Sequence, residues 1–170
     1  MEREFSVFSI AFEEIEQAIR SSIEIIQAGV NPSCLEFMDD QQAKAINLSS
    51  ETYKLAEKQN LFIKVNGTDL SRMETINKIM EITTKNGGSN PQYAMNKSEA
   101  EILWNLRKKA LLFTNKLKAN SRIYITDVCV PISKLGISIA EAKKLIEEYS
   151  NASLFNIIMF HFTSLSFSFI

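Results

Sequence analysis

Apolar residues change their spacing repeatedly along this chain, and each change marks an element. Phe5 to Ala11 is a short apolar run bounded by charge, which predicts a strand. Phe12 to Ala28 then sets Ile15, Ala18, Ile19, Ile23 and Ile26 at helical spacing, with Glu13, Glu14 and Glu16 in the first turn, where the helix dipole favours acids. Gly29 supplies a helix stop and Asn31-Pro32 a turn. Cys34 to Met38 predicts a second strand, and Asp39 or Asp40 can cap a short helix through Ile46. Leu61 to Val65 alternates as a strand does. Asp69 to Lys85 is helical, with Met73, Ile76, Ile79, Met80 and Thr83 along one side, and Gly87-Gly88 ends it. After a weak extended stretch, Gln92 to Met95, Asn96 or Ser98 can cap a long helix. Glu99 and Glu101 fall in its first turns and Leu103, Leu106, Ala110, Phe113 and Leu117 on its buried face. Ile123 to Val130 predicts a strand stopped by Pro131, and Ser138 to Tyr149 a last helix.

Strands alternating with helices admit two architectures, a parallel doubly wound sheet or a ferredoxin-like plait with a largely antiparallel sheet. The strands are short, and neither a Gly-x-Gly-x-x-Gly turn nor a Walker loop follows any of them. The expectation is therefore an α+β plait over residues 5–149, incomplete, with its helices packed on one face.

Residues 150–170 are set apart. From Asn151 to Ile170 there is no Asp, Glu, Lys or Arg, and five of the eleven phenylalanines lie there. Three readings stand: a tail-anchored membrane helix, a terminal core strand or strand pair, or a divergent segment foreign to the domain. The membrane reading has the length but is interrupted by Ser153, Thr163, Ser164, Ser166 and Ser168. The foreign segment is favoured, and it would be an exposed, β-prone aggregation hazard.

Composition narrows function more by exclusion than by assignment. With 170 residues the chain can bury one core, and a formal charge of -1 gives no reason to expect nucleic acid. Cys34 and Cys129 lack metal-ligand spacing; one disulfide could join them, and two isolated thiols is the favoured reading. The front end, Met1-Glu2-Arg3-Glu4-Phe5, resembles neither a secretory signal nor a transit peptide.

Three stretches carry a family resemblance. Residues 23–39, Ile-Glu-Ile-Ile-Gln-Ala-Gly-Val-Asn-Pro-Ser-Cys-Leu-Glu-Phe-Met-Asp, are similar to the first strand-helix-strand of the FAD-linked oxidase C-terminal domain. Residues 103–110, Leu-Trp-Asn-Leu-Arg-Lys-Lys-Ala, look like that domain's Leu-Trp-x-x-Arg-x-x-Ala helix. The decamer 126–135, Thr-Asp-Val-Cys-Val-Pro-Ile-Ser-Lys-Leu, resembles the mitochondrial D-lactate dehydrogenases that pass electrons to cytochrome c. Asn66-Gly67-Thr68 and Asn86-Gly87-Gly88-Ser89 also fit.

The resemblance implies a flavin-dependent enzyme that oxidises D-lactate to pyruvate with FAD, donates electrons to cytochrome c and resides in mitochondria. It further implies that this chain is a part of that enzyme, without the flavin-binding domain that precedes it. The family's His-x-Gly-Asp-Gly-Asn-x-His motif is not matched around His161, where the chain reads Met159-Phe160-His161-Phe162-Thr163-Ser164-Leu165. The expectation is a fragment, truncated at both ends, that holds no FAD and catalyses nothing alone. Alternatives are a different hydroxy acid (glycolate or 2-hydroxyglutarate), a non-catalytic module that self-associates through exposed sheet edges, or a membrane-tethered fragment.

Arg107 is the one candidate site residue. On the residues alone it reads as an exposed helix arginine beside Lys108 and Lys109. The resemblance implies that it holds the substrate carboxylate, which a planar guanidinium can take bidentately. His161 lacks the companions a metal site needs. Trp104 and Cys129 read as core packing, Asp127 as a pocket group or a cap, and Glu36 as either a pocket carboxylate with a raised pKa or, the favoured reading, one pointing to solvent from the polar side of its strand.

Overall fold

The computed structural model describes residues 4–51, 53–94, 96–118, 120, 124–128, 130–149, 155–161 and 164–169; for 124–128, 132, 147, 149 and the last two segments it describes the backbone only. Four strands, β1 (Phe5–Phe12), β2 (Cys34–Met38), β3 (Gln59–Asn66) and β4 (Ser89–Tyr93), form one sheet in the order β2-β3-β1-β4. Every neighbouring pair is antiparallel. The connecting helices are α1 (Ile15–Gln27), α2 (Asp40–Ser49) and α3 (Asp69–Lys85). With α2 inserted between β2 and β3, this is the β-α-β-β-α-β path of a ferredoxin-like plait, the α+β fold expected.

The local signals that build it are legible in the side chains. Asp39 caps α2 by accepting from the Gln42 amide at 2.9 Å, and Thr68 caps α3 through the Ser71 amide. The α3–β4 turn needs its two glycines. Gly87 has φ +90°, and a Cβ on Gly88 would lie 2.8 Å from the Thr83 carbonyl oxygen and 2.9 Å from Ile10.

Register sorts the strand residues into two faces. Leu35, Ile63 and Phe8 lie in one row across β2, β3 and β1, and Phe37, Leu61 and Ile10 in the next. These pack with Ala18, Ile19 and Ile25 of α1 and Ile79 of α3. Leu135 and Ile139 of α6 (Leu135–Tyr149) join the same core. This is the single helical layer expected.

The second face is covered as well. Here Val7, Met38 and Phe62 meet Ala43 and Ile46 of α2 and Ala100, Leu103 and Trp104 of α4 (Lys97–Lys108). Ala110 of α5 (Ala110–Thr114) completes the cluster. The helices therefore lie on both faces, because β1 and β3 are apolar on both and alternation alone does not reveal the second layer. The single long helix expected from Asn96 onward is two helices that break at Lys109. There the buried Gln42 side chain donates to the Ala110 carbonyl at 2.6 Å and accepts from the Thr114 hydroxyl at 2.8 Å. Met73, expected on the inner side of α3, is 62% exposed; the helix turns its Ile79 and Thr83 inward instead.

Beyond a 3-10 turn, Ile132–Lys134, and α6, the backbone of the terminal segment is extended. Strands β6 (Phe155–His161) and β7 (Ser164–Phe169) pair antiparallel, and β7 pairs with β5 (Tyr124–Val128), giving a second sheet in the order β5-β7-β6. The β6 backbone runs beside β2, the outer strand of the larger sheet. No helix among the described residues is long and apolar enough to cross a membrane.

Candidate functional site

Two of the charged groups that the fold encloses, Glu36 and Arg107, meet on the second face, whereas Arg72 at the start of α3 is held beside Ser6 and Glu4. On β2, Cys34 lies across from Lys64 of β3, and Glu36 across from Phe62. Side chains two apart on a strand share a face, so Cys34, Glu36, Phe62 and Lys64 form one patch. Helix α4 is laid over it. Its Asn96 cap accepts from the Glu99 amide at 3.0 Å, and Ala100, Leu103 and Trp104 are buried at helical spacing. Arg107 is the next residue of that i, i+3, i+4, i+7 stripe, so it too points inward.

Arg107 and Glu36 meet there. The Arg107 Nε and Glu36 Oε2 form an ion pair, with side chains only 14% and 7% exposed, and both atoms are closed off from solvent. Burial draws the guanidinium below the usual arginine value, and neighbouring Cys34 opposes this in part. The group remains a cation at any physiological pH. The Arg107 guanidinium carbon stands 5.3 Å from the centre of the Trp104 ring, and the Lys64 ammonium stands 5.1 Å from Trp104 and 4.3 Å from Phe5. Two cations and one carboxylate thus share a patch walled by aromatic rings, where attraction for an anion is screened less than at an open surface.

Arg107 is therefore enclosed, not an exposed helix arginine. Glu36 is a correction: it is 5% exposed and faces α4, because β2 has a helix over this side too. Trp104 is core, as expected, and also borders the ion pair. Cys34 is a free thiol. Asp127 and His161 lie on β5 and at the end of β6, with side chains outside the described residues, and Cys129 lies outside them altogether. No group of three or more metal-binding side chains occurs among the described residues.

A model of the FAD linked oxidases, C-terminal domain, matches residues 1–164. The chain belongs to that family. A probable mitochondrial D-lactate dehydrogenase of Danio rerio is 35% identical over 133 residues, covering 78% of this chain and 27% of that protein. The mitochondrial D-lactate dehydrogenase [cytochrome] of Arabidopsis thaliana is 30% identical over 139 residues, covering 82% of this chain and 24% of that protein. The chain thus spans about a quarter of the length of these curated relatives. In fold it is similar to an alkyldihydroxyacetonephosphate synthase, with TM-score 0.71 and 14% identity over 98% of this chain and 35% of the other. It is likewise similar to p-cresol methylhydroxylase, with TM-score 0.66 and 11% identity over 98% and 38%.

The family name implies FAD, and the patch can be tested for it. Its polar groups are two cations and an acid, a set suited to a small anion and not to an isoalloxazine ring. Among the described residues no glycine-rich strand-to-helix turn offers a pyrophosphate cradle.

Proposed function

We propose that this chain is the substrate-side domain of a flavin-dependent D-lactate dehydrogenase, in which Arg107 holds the carboxylate of D-lactate. The carrying observation is the buried guanidinium of the Leu-Trp-x-x-Arg stripe, seated between Trp104 and the Glu36 strand. The family match and the names of the relatives support the same direction. The whole enzyme would oxidise D-lactate to pyruvate with FAD supplying the redox chemistry, pass electrons to cytochrome c and work in mitochondria. This chain's contribution is orientation: a carboxylate fixed on Arg107 sets which side of the hydroxy carbon faces the reacting partner. Lys64 adds a second positive charge on the same side.

Trp104 is the one tryptophan of the chain and borders Arg107, so its emission reports directly on the patch. Titration with D-lactate changes that emission saturably, and Arg107→Gln removes the response. A wild-type emission that stays flat, or a response unchanged in Arg107→Gln, contradicts the reading. The chain alone, incubated with FAD and desalted, retains no flavin absorbance near about 450 nm and reduces no dye with D-lactate.

A further inference from the structure

Glu36 is the group on this face that the carboxylate reading leaves without a task. It stands in the middle of a short strand, with its Oε2 shut away from water and set on the Nε of Arg107. A ligand carboxylate needs the same guanidinium. Two carboxylates gathered on one cation repel each other, and enclosure prevents water and salt from screening that repulsion. Lys64 lies one step along the ladder, opposite Cys34 and hence diagonal to Glu36.

We infer that Glu36 is a built-in competitor for Arg107, so that its carboxylate and that of a small monocarboxylate ligand occupy the guanidinium in turn. The inference rests on the reading of Arg107 as the carboxylate-binding residue. Lys64 is the cation to which Glu36 turns when a ligand takes its place. Glu36 acts through Arg107 and is a positioning residue, one that sets how tightly the patch binds and which acids it admits. An acid able to outcompete Glu36 must bring further contacts, such as a 2-hydroxyl group. A bare carboxylate has none to offer.

Removing the competitor should turn the patch into an open carboxylate receptor. Glu36→Ala takes a carboxylate away from a buried cation and leaves a hole of that size beside it. Formate or acetate then raises the thermal midpoint of that variant, while chloride at equal ionic strength does not and wild type responds to neither. In the Trp104 titration, Glu36→Gln binds D-lactate about tenfold or more tightly than wild type, since the favourable terms no longer work against a resident anion. Glu36→Asp, charged but shorter, falls between them.

Binding by Glu36→Gln no tighter than wild type, with Arg107→Gln silent, overturns the competition and leaves the carboxylate reading standing. Binding by Arg107→Gln equal to wild type removes the carboxylate reading and the competition with it. Failure of both wild type and Glu36→Gln to bind D-lactate overturns both. If Glu36→Ala does not fold even with formate, the Glu36→Gln and Glu36→Asp titrations decide the matter.

Discussion

On the face under α1, α3 and α6 the strands present Phe8, Ile10, Phe12, Leu35, Phe37 and Ile63; the fully buried hydroxyls nearby turn back on their own helices, and the groups that bridge elements, Arg72 to Ser6 and Asn86 to Glu24, lie at its rim. Ser21 donates to the Gln17 carbonyl at 2.9 Å, Ser22 to Ala18 at 2.9 Å and Thr83 to Ile79 at 2.9 Å. On the face under α2, α4 and α5 the same strands present Phe62 and Val7 but also Ser9, Glu36, Asn60 and Lys64. Polar groups there reach from one element to another. Gln42 of α2 holds Thr114 and Ala110 of α5, and Glu36 of β2 holds Arg107 of α4. The first face is built for stability by apolar burial. The second keeps charges at a desolvation cost that hydrophobic side chains would avoid, and so it is the face on which to look for chemistry.

That contrast can be broken by substitution. The largest loss of stability belongs to the apolar face: Phe8→Ala, at a position with no exposed surface, should cost about 3–5 kcal/mol and lower the thermal midpoint by on the order of 10 °C. D-lactate binding by the surviving folded fraction stays unchanged, because Phe8 points away from Arg107. On the charged face, Glu36→Leu or Arg107→Leu alone splits a buried ion pair and costs about 3 kcal/mol. The double variant should cost clearly less than the sum, with a coupling measurable in chemical denaturation. Additive losses would mean that the pair is not a unit and that the two faces differ less than their residues suggest.

The plait itself was legible, since strands and helices alternate with the right lengths and the caps Asp39 and Asn96 carry side chains that accept from amides. The second helical layer was not. A strand apolar on both sides does not say what covers its far face, and Glu36 looked solvent-bound for that reason. Arg107 was within reach of pattern reasoning. Ala100, Leu103, Trp104 and Arg107 form one helical stripe, but following Leu103 to Leu106, Ala110 and Phe113 as one unbroken helix set the inner side about a step away. The break at Lys109 comes from Gln42, which is 68 residues away from Ala110 in sequence, and no local signal announces it.

The most direct measurement is the Nε–H resonance of Arg107 in nitrogen-15-labelled chain, assigned by its loss in Arg107→Gln and followed during titration with D-lactate. Its ion pair with Glu36 makes it a reporter on the very atom where the two carboxylates would meet. The account predicts a saturable shift of that resonance, matched in midpoint by the Trp104 emission change. A resonance that stays fixed while D-lactate saturates the chain elsewhere, or while nothing binds at all, would contradict it.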